Sequence, residues 1–152
     1  MLRSFLGVIV GYAVLSVFFF AIFTGAYFLL GVERIFQPDS YAVSTLWLVL
    51  SAAISLFGSI LAGYVCAAIS RSQLTCRVFA WIVLIVLILF CLPKLRDPTP
   101  HVRAGEISNM EAMELTQMPV WMHLLNPILG AAGVLLGARM KVRLAGSGAA
   151  VE

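Results

Sequence analysis

Four long stretches of this chain carry no charge, and its charged residues fall in the short segments between them. Residues 4–32 hold 29 positions without Asp, Glu, Lys or Arg, residues 40–70 hold 31, residues 78–93 hold 16 and residues 115–138 hold 24. An α-helix rises ~1.5 Å per residue, so a hydrocarbon core ~30 Å thick needs about 20 apolar positions. The first, second and fourth runs suffice as they stand. The third falls short by a turn unless Arg77 and Lys94 carry their charges out to the two interfaces, as long side chains do; its centre, Trp81 to Phe90, is apolar on every face. The pattern predicts an all-α fold, an integral membrane four-helix bundle in one domain over 1–145. Its spans are expected near 4–31, 41–70, 76–94 and 118–140, with a disordered small-residue tail over 146–152.

The first run is longer than the about 7–15 apolar residues of a secretory signal, and Arg3 alone makes a thin basic flank. It reads as an uncleaved first helix. The connections follow from turn chemistry. Residues 32–40 form a short loop broken by Pro38, with Asp39 or Ser40 as candidate N-cap of the second helix. Residues 71–77 make a tight turn. Residues 94–118 make the one long loop, in which Ser108-Asn-Met-Glu111 has capping-box spacing. A short interfacial helix over about 109–117 is expected there, with Ile107, Met110 and Met113 on one side and Glu106, Glu111 and Glu114 toward water.

Within the runs, small residues recur at helical spacing. Lipid tails are as apolar as leucine, so membrane helices associate by close backbone approach and by hydrogen bonds, and small residues mark the contact face. The first helix carries Gly7, Gly11 and Gly25 in a three-four alternation with Ser4, Val14, Phe18 and Ala21. The second carries Ser51, Ser55, Ser59, Gly63 and Ala67, each four residues after the last; the fourth carries Asn126, Gly130, Gly133 and Gly137. The third has no such stripe. These faces predict a packed centre of the first, second and fourth helices, with the third peripheral and Ile85 and Leu89 toward lipid. The serine stripe has a second reading, as a homo-oligomer face or a polar track for a small solute. There is also an internal echo: Ala62-Gly-Tyr-Val-Cys-Ala-Ala68 resembles Ala132-Gly-Val-Leu-Leu-Gly-Ala138 at an offset of 70 residues, which a duplicated two-helix hairpin would produce.

Composition agrees with lipid as the solvent: 62% of the 152 residues are hydrophobic, 11% are charged and the mean hydropathy is +1.03. The net charge of +3 matters by location. Arg3, Arg71, Arg77, Arg139, Lys141 and Arg143 fall on one side of the expected bundle, against Arg34, Lys94, Arg96 and Arg103 on the other. By the bias of Lys and Arg toward cytoplasmic loops, both termini are expected inside. No basic stripe lies free of the hydrophobic runs, so nucleic acid is not an expected partner. The lipid bilayer is, with a second copy or another membrane protein as candidate contacts.

Candidate chemistry is sparse. Proton relays and ion-coupled transporters rely on ionisable groups within the membrane, and none of the four runs contains Asp, Glu, Lys or Arg. Asn126-Pro127 near the start of the fourth helix reads as a kink whose freed carbonyl Asn126 or a neighbouring serine could satisfy; an unwound, substrate-binding turn is the alternative. Met110, Met113, Met118 and Met122 with His123 form the one candidate metal set, because thioether and imidazole suit Cu(I); the plainer reading is methionine filling an interfacial surface. No catalytic residues and no cofactor are expected. Cys66, Cys76 and Cys91 form no C-x-x-C pair, and Cys76 and Cys91 stand about 22 Å apart along one helix, too far to bridge. Trp47, Trp121 and Tyr41 at one end and Trp81 at the other suit interfacial aromatic belts.

The Gly7/Gly11 pair, the Gly31-Val-Glu-Arg34 exit from the first helix, Ala62-Gly-Tyr-Val-Cys-Ala67 and Gly137-Ala-Arg139 make the chain similar to small four-span bacterial membrane proteins of unassigned function. The resemblance implies a multi-pass protein of the bacterial inner membrane and brings no site residues with it. The leading expectation is a non-enzymatic accessory or structural membrane subunit. The alternatives are a small solute transporter or channel and a protein handling copper on the outer face.

Overall fold

The computed structural model describes residues 2–38, 40–96 and 116–148. The secondary structure among them is helical apart from isolated bridges, which include Phe36 with Val43 and Ala42 with Gln117. The elements are α1 (Leu2–Leu30), α2 (Val32–Ile35), α3 (Thr45–Ser70), α4 (Gln73–Arg96) and α5 (Val120–Gly148). Helices α1, α3, α4 and α5 are each long and apolar enough to cross a membrane. The expected interfacial helix over 109–117, with Met110 and Met113, falls largely outside the described residues, and Thr116 and Gln117 are not helical. Of the expected tail, 146–148 continue α5 and the rest lies outside the described residues.

The long helices form two antiparallel hairpins, α1 with α3 and α4 with α5, joined through α3 and α5, which run side by side in the same direction. Arg71, Arg77, Arg139 and Lys141 therefore gather at one end of the bundle with the start of α1, here termed the basic end. Helix α3 is the most enclosed, with 44% of its most apolar window buried; α5 follows at 33%, then α4 at 22% and α1 at 17%. The centre is thus the α3–α5 pair, flanked by one helix on each side, rather than a trio of α1, α3 and α5. Helix α4 buries Cys76, Phe79, Ala80 and Val83 by fitting ordinary side chains into spaces beside its neighbours. That way of packing leaves no small-residue stripe in the sequence. Its other face, with Ile85 and Leu89, is exposed.

Local chemistry sets the ends of the helices. Helix α1 stops at Gly31, whose positive φ of 68° lets its N–H donate back to the Tyr27 carbonyl at 3.0 Å. Helix α3 begins four residues later than the proline and acidic signals suggest, because Phe36 and Tyr41 to Val43 are engaged elsewhere. Phe36 pairs with Val43, Val43 N–H donates to the Gln117 carbonyl, and Gln117 N–H donates to the Tyr41 carbonyl. The N-cap is Ser44, whose hydroxyl accepts from Trp47 N–H and donates to the Arg34 carbonyl at 2.7 Å. At the basic end α3 closes on Arg71 in the left-handed conformation (φ 52°), whose N–H donates to the Ala67 carbonyl. Ser72 then starts α4 by accepting from Thr75 N–H.

Candidate functional sites

The α3–α5 seam brings together most of the small residues singled out above. Gly63 lies against the backbone of Val134, so a Cβ there would fall on the Val134 carbonyl. Gly137 meets the Ile60 carbonyl in the same way, and a Cβ on Gly133 would come within 2.6 Å of Ser59 Cβ. The two echoing segments, 62–68 and 132–138, overlap in this seam only in part, at Gly63 with Val134 and at Tyr64 with Gly137, because Gly133 packs about a turn earlier, on Leu56, Ser59 and Ile60. Gly130 sits where α4 and α5 meet: a Cβ there would stand 3.1 Å from Leu87, 3.3 Å from Val83 and 3.7 Å from Ser59 Oγ. Ser51 and Ser59 are both 0% exposed and Ser55 is buried. Ser51 Oγ donates to the Leu48 carbonyl at 3.0 Å and Ser59 Oγ to the Ser55 carbonyl at 2.6 Å. A serine hydroxyl turned onto its own helix in this way hides its polarity and leaves a small surface for the neighbour's glycine.

On the other flank of α3, Gly7 and Gly11 admit α1. A Cβ on Gly7 would stand 3.0 Å from Ser70 Cβ, and one on Gly11 3.1 Å from the Phe79 ring and 3.2 Å from Cys66 Cβ. Farther along, Phe18 and Phe19 cover Gly58. An aromatic series follows from Phe19 through Phe23 to Trp47 and Tyr27, with neighbouring ring centroids 5.9, 5.8 and 4.6 Å apart. Tyr27 Oη is hydrogen-bonded to Thr116 Oγ1 at 2.7 Å, which ties the start of the α5 segment to α1. Gly25 has no atom within 4 Å of where its Cβ would stand, so the α1 contact face does not run its whole stripe.

Asn126-Pro127 lies inside the continuous helix α5, and the donor that the proline removes has a specific replacement. Pro127 has no N–H, so the carbonyl of His123, four residues earlier, loses its helical donor. The thiol of Cys91 on α4 donates to that carbonyl at 3.3 Å, in place of the Asn126 or serine donor expected from sequence. Asn126 Oδ1 and Trp47 Nε1 are buried with no hydrogen-bond partner among the described residues.

The soft-metal set is only partly described. Met118 packs on the Trp47 cluster, Met122 is 1% exposed and His123 is half-buried; Met110 and Met113 lie outside the described residues. Among those residues no three of His, Cys, Asp and Glu come together as a metal-holding group.

The basic end also holds a hollow. Between α4 and α5 lies a cavity of about 350 Å³, walled by Ala80, Leu84, Ala131 and Leu135 and rimmed by Arg77 and Arg139. A second hollow of about 410 Å³ adjoins it, sharing Gln73, Cys76, Ala138 and Val142 and bringing in Arg71 and Lys141. The Lys141 ammonium stands 5.5 Å from the centroid of the Tyr64 ring. Cys76 lines both compartments, with Ser70 Oγ 4.0 Å from its Sγ, and Cys66 lies in the same apolar cluster; both cysteines are unbridged and buried. The one sequence signal for this feature was the crowding of basic residues at the ends of α3, α4 and α5; the hollow itself depends on how far apart two helices stand.

The chain matches no family model, and neither a curated protein nor a solved structure is similar to it.

Proposed function

We propose that this chain is a multi-pass integral membrane protein with both termini on the cytoplasmic face, serving as a non-enzymatic accessory or structural subunit of a bacterial inner membrane. The observation that carries the reading is the state of the serine stripe. Ser51 and Ser59 are fully enclosed, their hydroxyls bond to carbonyls of their own helix, and Gly133 seats directly on Ser59. A solute path needs polar groups facing a water-filled lumen, whereas Ser59 faces Gly133 and Ser51 turns its hydroxyl onto the Leu48 carbonyl of its own helix. Such a seam supports a rigid packing element in preference to a transporter. The outward surfaces of all four long helices are apolar, with Phe20 at 76% and Phe90 at 72% exposed, and suit lipid or a neighbouring membrane helix.

The test is flux. Vesicles containing the purified full chain and loaded with small ions and neutral solutes should leak no faster than empty vesicles. A solute-selective flux that Ser59→Leu abolishes would replace this reading with the transporter.

A further inference from the structure

The hollow at the basic end combines two properties that no single side chain would reveal. Its inner part is apolar: Ala80 and Leu84 on α4 face Ala131 and Leu135 on α5. Its mouth is cationic, with Arg77 and Arg139 on the rim of one compartment and Arg71 and Lys141 on the other. From Arg77 to Leu84 and from Arg139 to Ala131 the helices advance seven and eight residues, so the apolar part reaches about 10 Å inward from the guanidinium groups. The chain has no Asp or Glu anywhere between residues 40 and 96 or between 115 and 151. The four cations therefore have no carboxylate partner on α3, α4 or α5. Guanidinium groups gathered beside an apolar slot suit a ligand with an oxyanion at one end and hydrocarbon at the other, since the planar donor fork matches phosphate in two-point hydrogen bonds. Trp81, 64% exposed beside the same opening, is the residue type favoured at headgroup depth.

We infer that the α4–α5 hollow is a binding site for an anionic phospholipid of the surrounding leaflet. Its phosphodiester sits between Arg77 and Arg139, and one acyl chain lies between Ala80 and Leu84 on one side and Ala131 and Leu135 on the other. The charge pattern selects this occupant over a zwitterionic lipid, whose ammonium would meet the same four cations. The depth of the apolar part selects it over free phosphate. Basic pockets between helices at the cytoplasmic surface bind anionic lipid headgroups by the same balance of forces. The inference rests on the membrane placement of the bundle and not on the accessory role, so a flux result that overturned that role would leave it standing.

The experiment uses the full chain in bilayer discs of equal parts phosphatidylcholine and phosphatidylglycerol, with native mass spectrometry of the lipids retained on release. Wild type should retain phosphatidylglycerol preferentially. The Arg77→Gln/Arg139→Gln variant should bind it about thirtyfold more weakly, from two surface charges lost. Arg3→Gln/Arg143→Gln removes as much charge outside the hollow and should change binding by less than about twofold; equal loss there would mean general surface attraction and overturn the site. Ala131→Phe, which fills the slot and keeps every charge, should weaken lipid binding while leaving any binding of glycerol phosphate unchanged. Glycerol phosphate competing as well as the whole lipid would instead assign the site to a free phosphate. A second readout keeps all four cations: in a Trp47→Phe/Trp121→Phe background, phosphatidylglycerol brominated on its acyl chain should quench Trp81 more strongly than brominated phosphatidylcholine does. Equal quenching by the two lipids would also overturn the proposal.

Discussion

The two hairpins of this protein solve the same packing problem differently at the same end of the bundle. In the α1–α3 hairpin the basic end is shut: Gly7 meets Ser70 and Gly11 meets Cys66 and Phe79 at distances that leave no room for a side chain. In the α4–α5 hairpin that end is open. Helix α4 has no glycine between Gln73 and Arg96, so its side chains hold it off α5, and Ala131 and Ala138 opposite are too small to fill the gap. A hollow of about 350 Å³ results. The same number of helical turns thus gives a sealed contact or a lined slot according to whether the incoming helix brings glycine. In a bilayer no water drives helices together, so close contact would be what holds them, and the open slot is where we propose that a lipid sits.

The strongest break in this comparison comes from the seam that both hairpins share. Gly63→Val places a side chain on the Val134 backbone, which cannot move aside as a side-chain tip would. We expect a loss of about 3 kcal/mol, at the upper end of overpacking effects, read from denaturant titration in mixed micelles. Gly11→Leu meets only the side chains of Cys66 and Phe79 and should cost about 2 kcal/mol. Ala131→Leu, the matching enlargement in the open hairpin, should cost less than about 1 kcal/mol because the space already exists. Should Ala131→Leu prove as damaging as Gly11→Leu, the two hairpins would be equally tight and the comparison would fail.

A subtler contrast lies at the far end of the second hairpin, where a side chain stands in for a missing backbone donor. Cys91→Ala should lose about 1 kcal/mol as the His123 carbonyl gives up its thiol, and Cys91→Ser should retain most of the stability because the hydroxyl still donates. Pro127→Ala restores the N–H four residues after His123, and in that background Cys91→Ala should become nearly neutral. Additive losses in the double variant would show that the thiol does not serve the proline gap. The smallest effect is expected at Gly25. With open space around it, Gly25→Ala should be neutral or add at most about 1 kcal/mol by relieving the backbone freedom of glycine, opposite in sign to the change at Gly11.

The helices were legible because a helix long and apolar enough to cross a membrane needs a run without charge, and that demand acts on each stretch of sequence separately. Small-residue spacing was legible for the same reason: Ser59, Gly63, Gly133 and Gly137 each stand on one face of one helix, and the structure sets those faces together. What escaped depends on two segments at once. Helix α4 is packed by Phe79 and Val83, residues that look identical on a lipid-facing surface, so its buried side carried no signal. The Ser44 cap follows from Tyr41 to Val43 pairing with Gln117, a contact across some 75 positions. The thiol of Cys91 finds the His123 carbonyl from 32 positions away. The basic-end hollow is a spacing between helices, and only its arginines were visible in advance.

Accessibility of the serine stripe tests the central claim, that α3 and α5 close on each other and leave no polar path. In a variant with Cys66, Cys76 and Cys91 replaced by alanine, single cysteines at positions 51, 55 and 59 would be exposed to a charged, water-soluble thiol reagent in intact and permeabilised membranes. A cysteine at the exposed position of Gln73 serves as the reference. Gln73→Cys should label rapidly, and Ser51→Cys and Ser59→Cys should not label from either side. Labelling of all three serine positions at rates near that of the reference would mean that water runs along α3, and would contradict the claim.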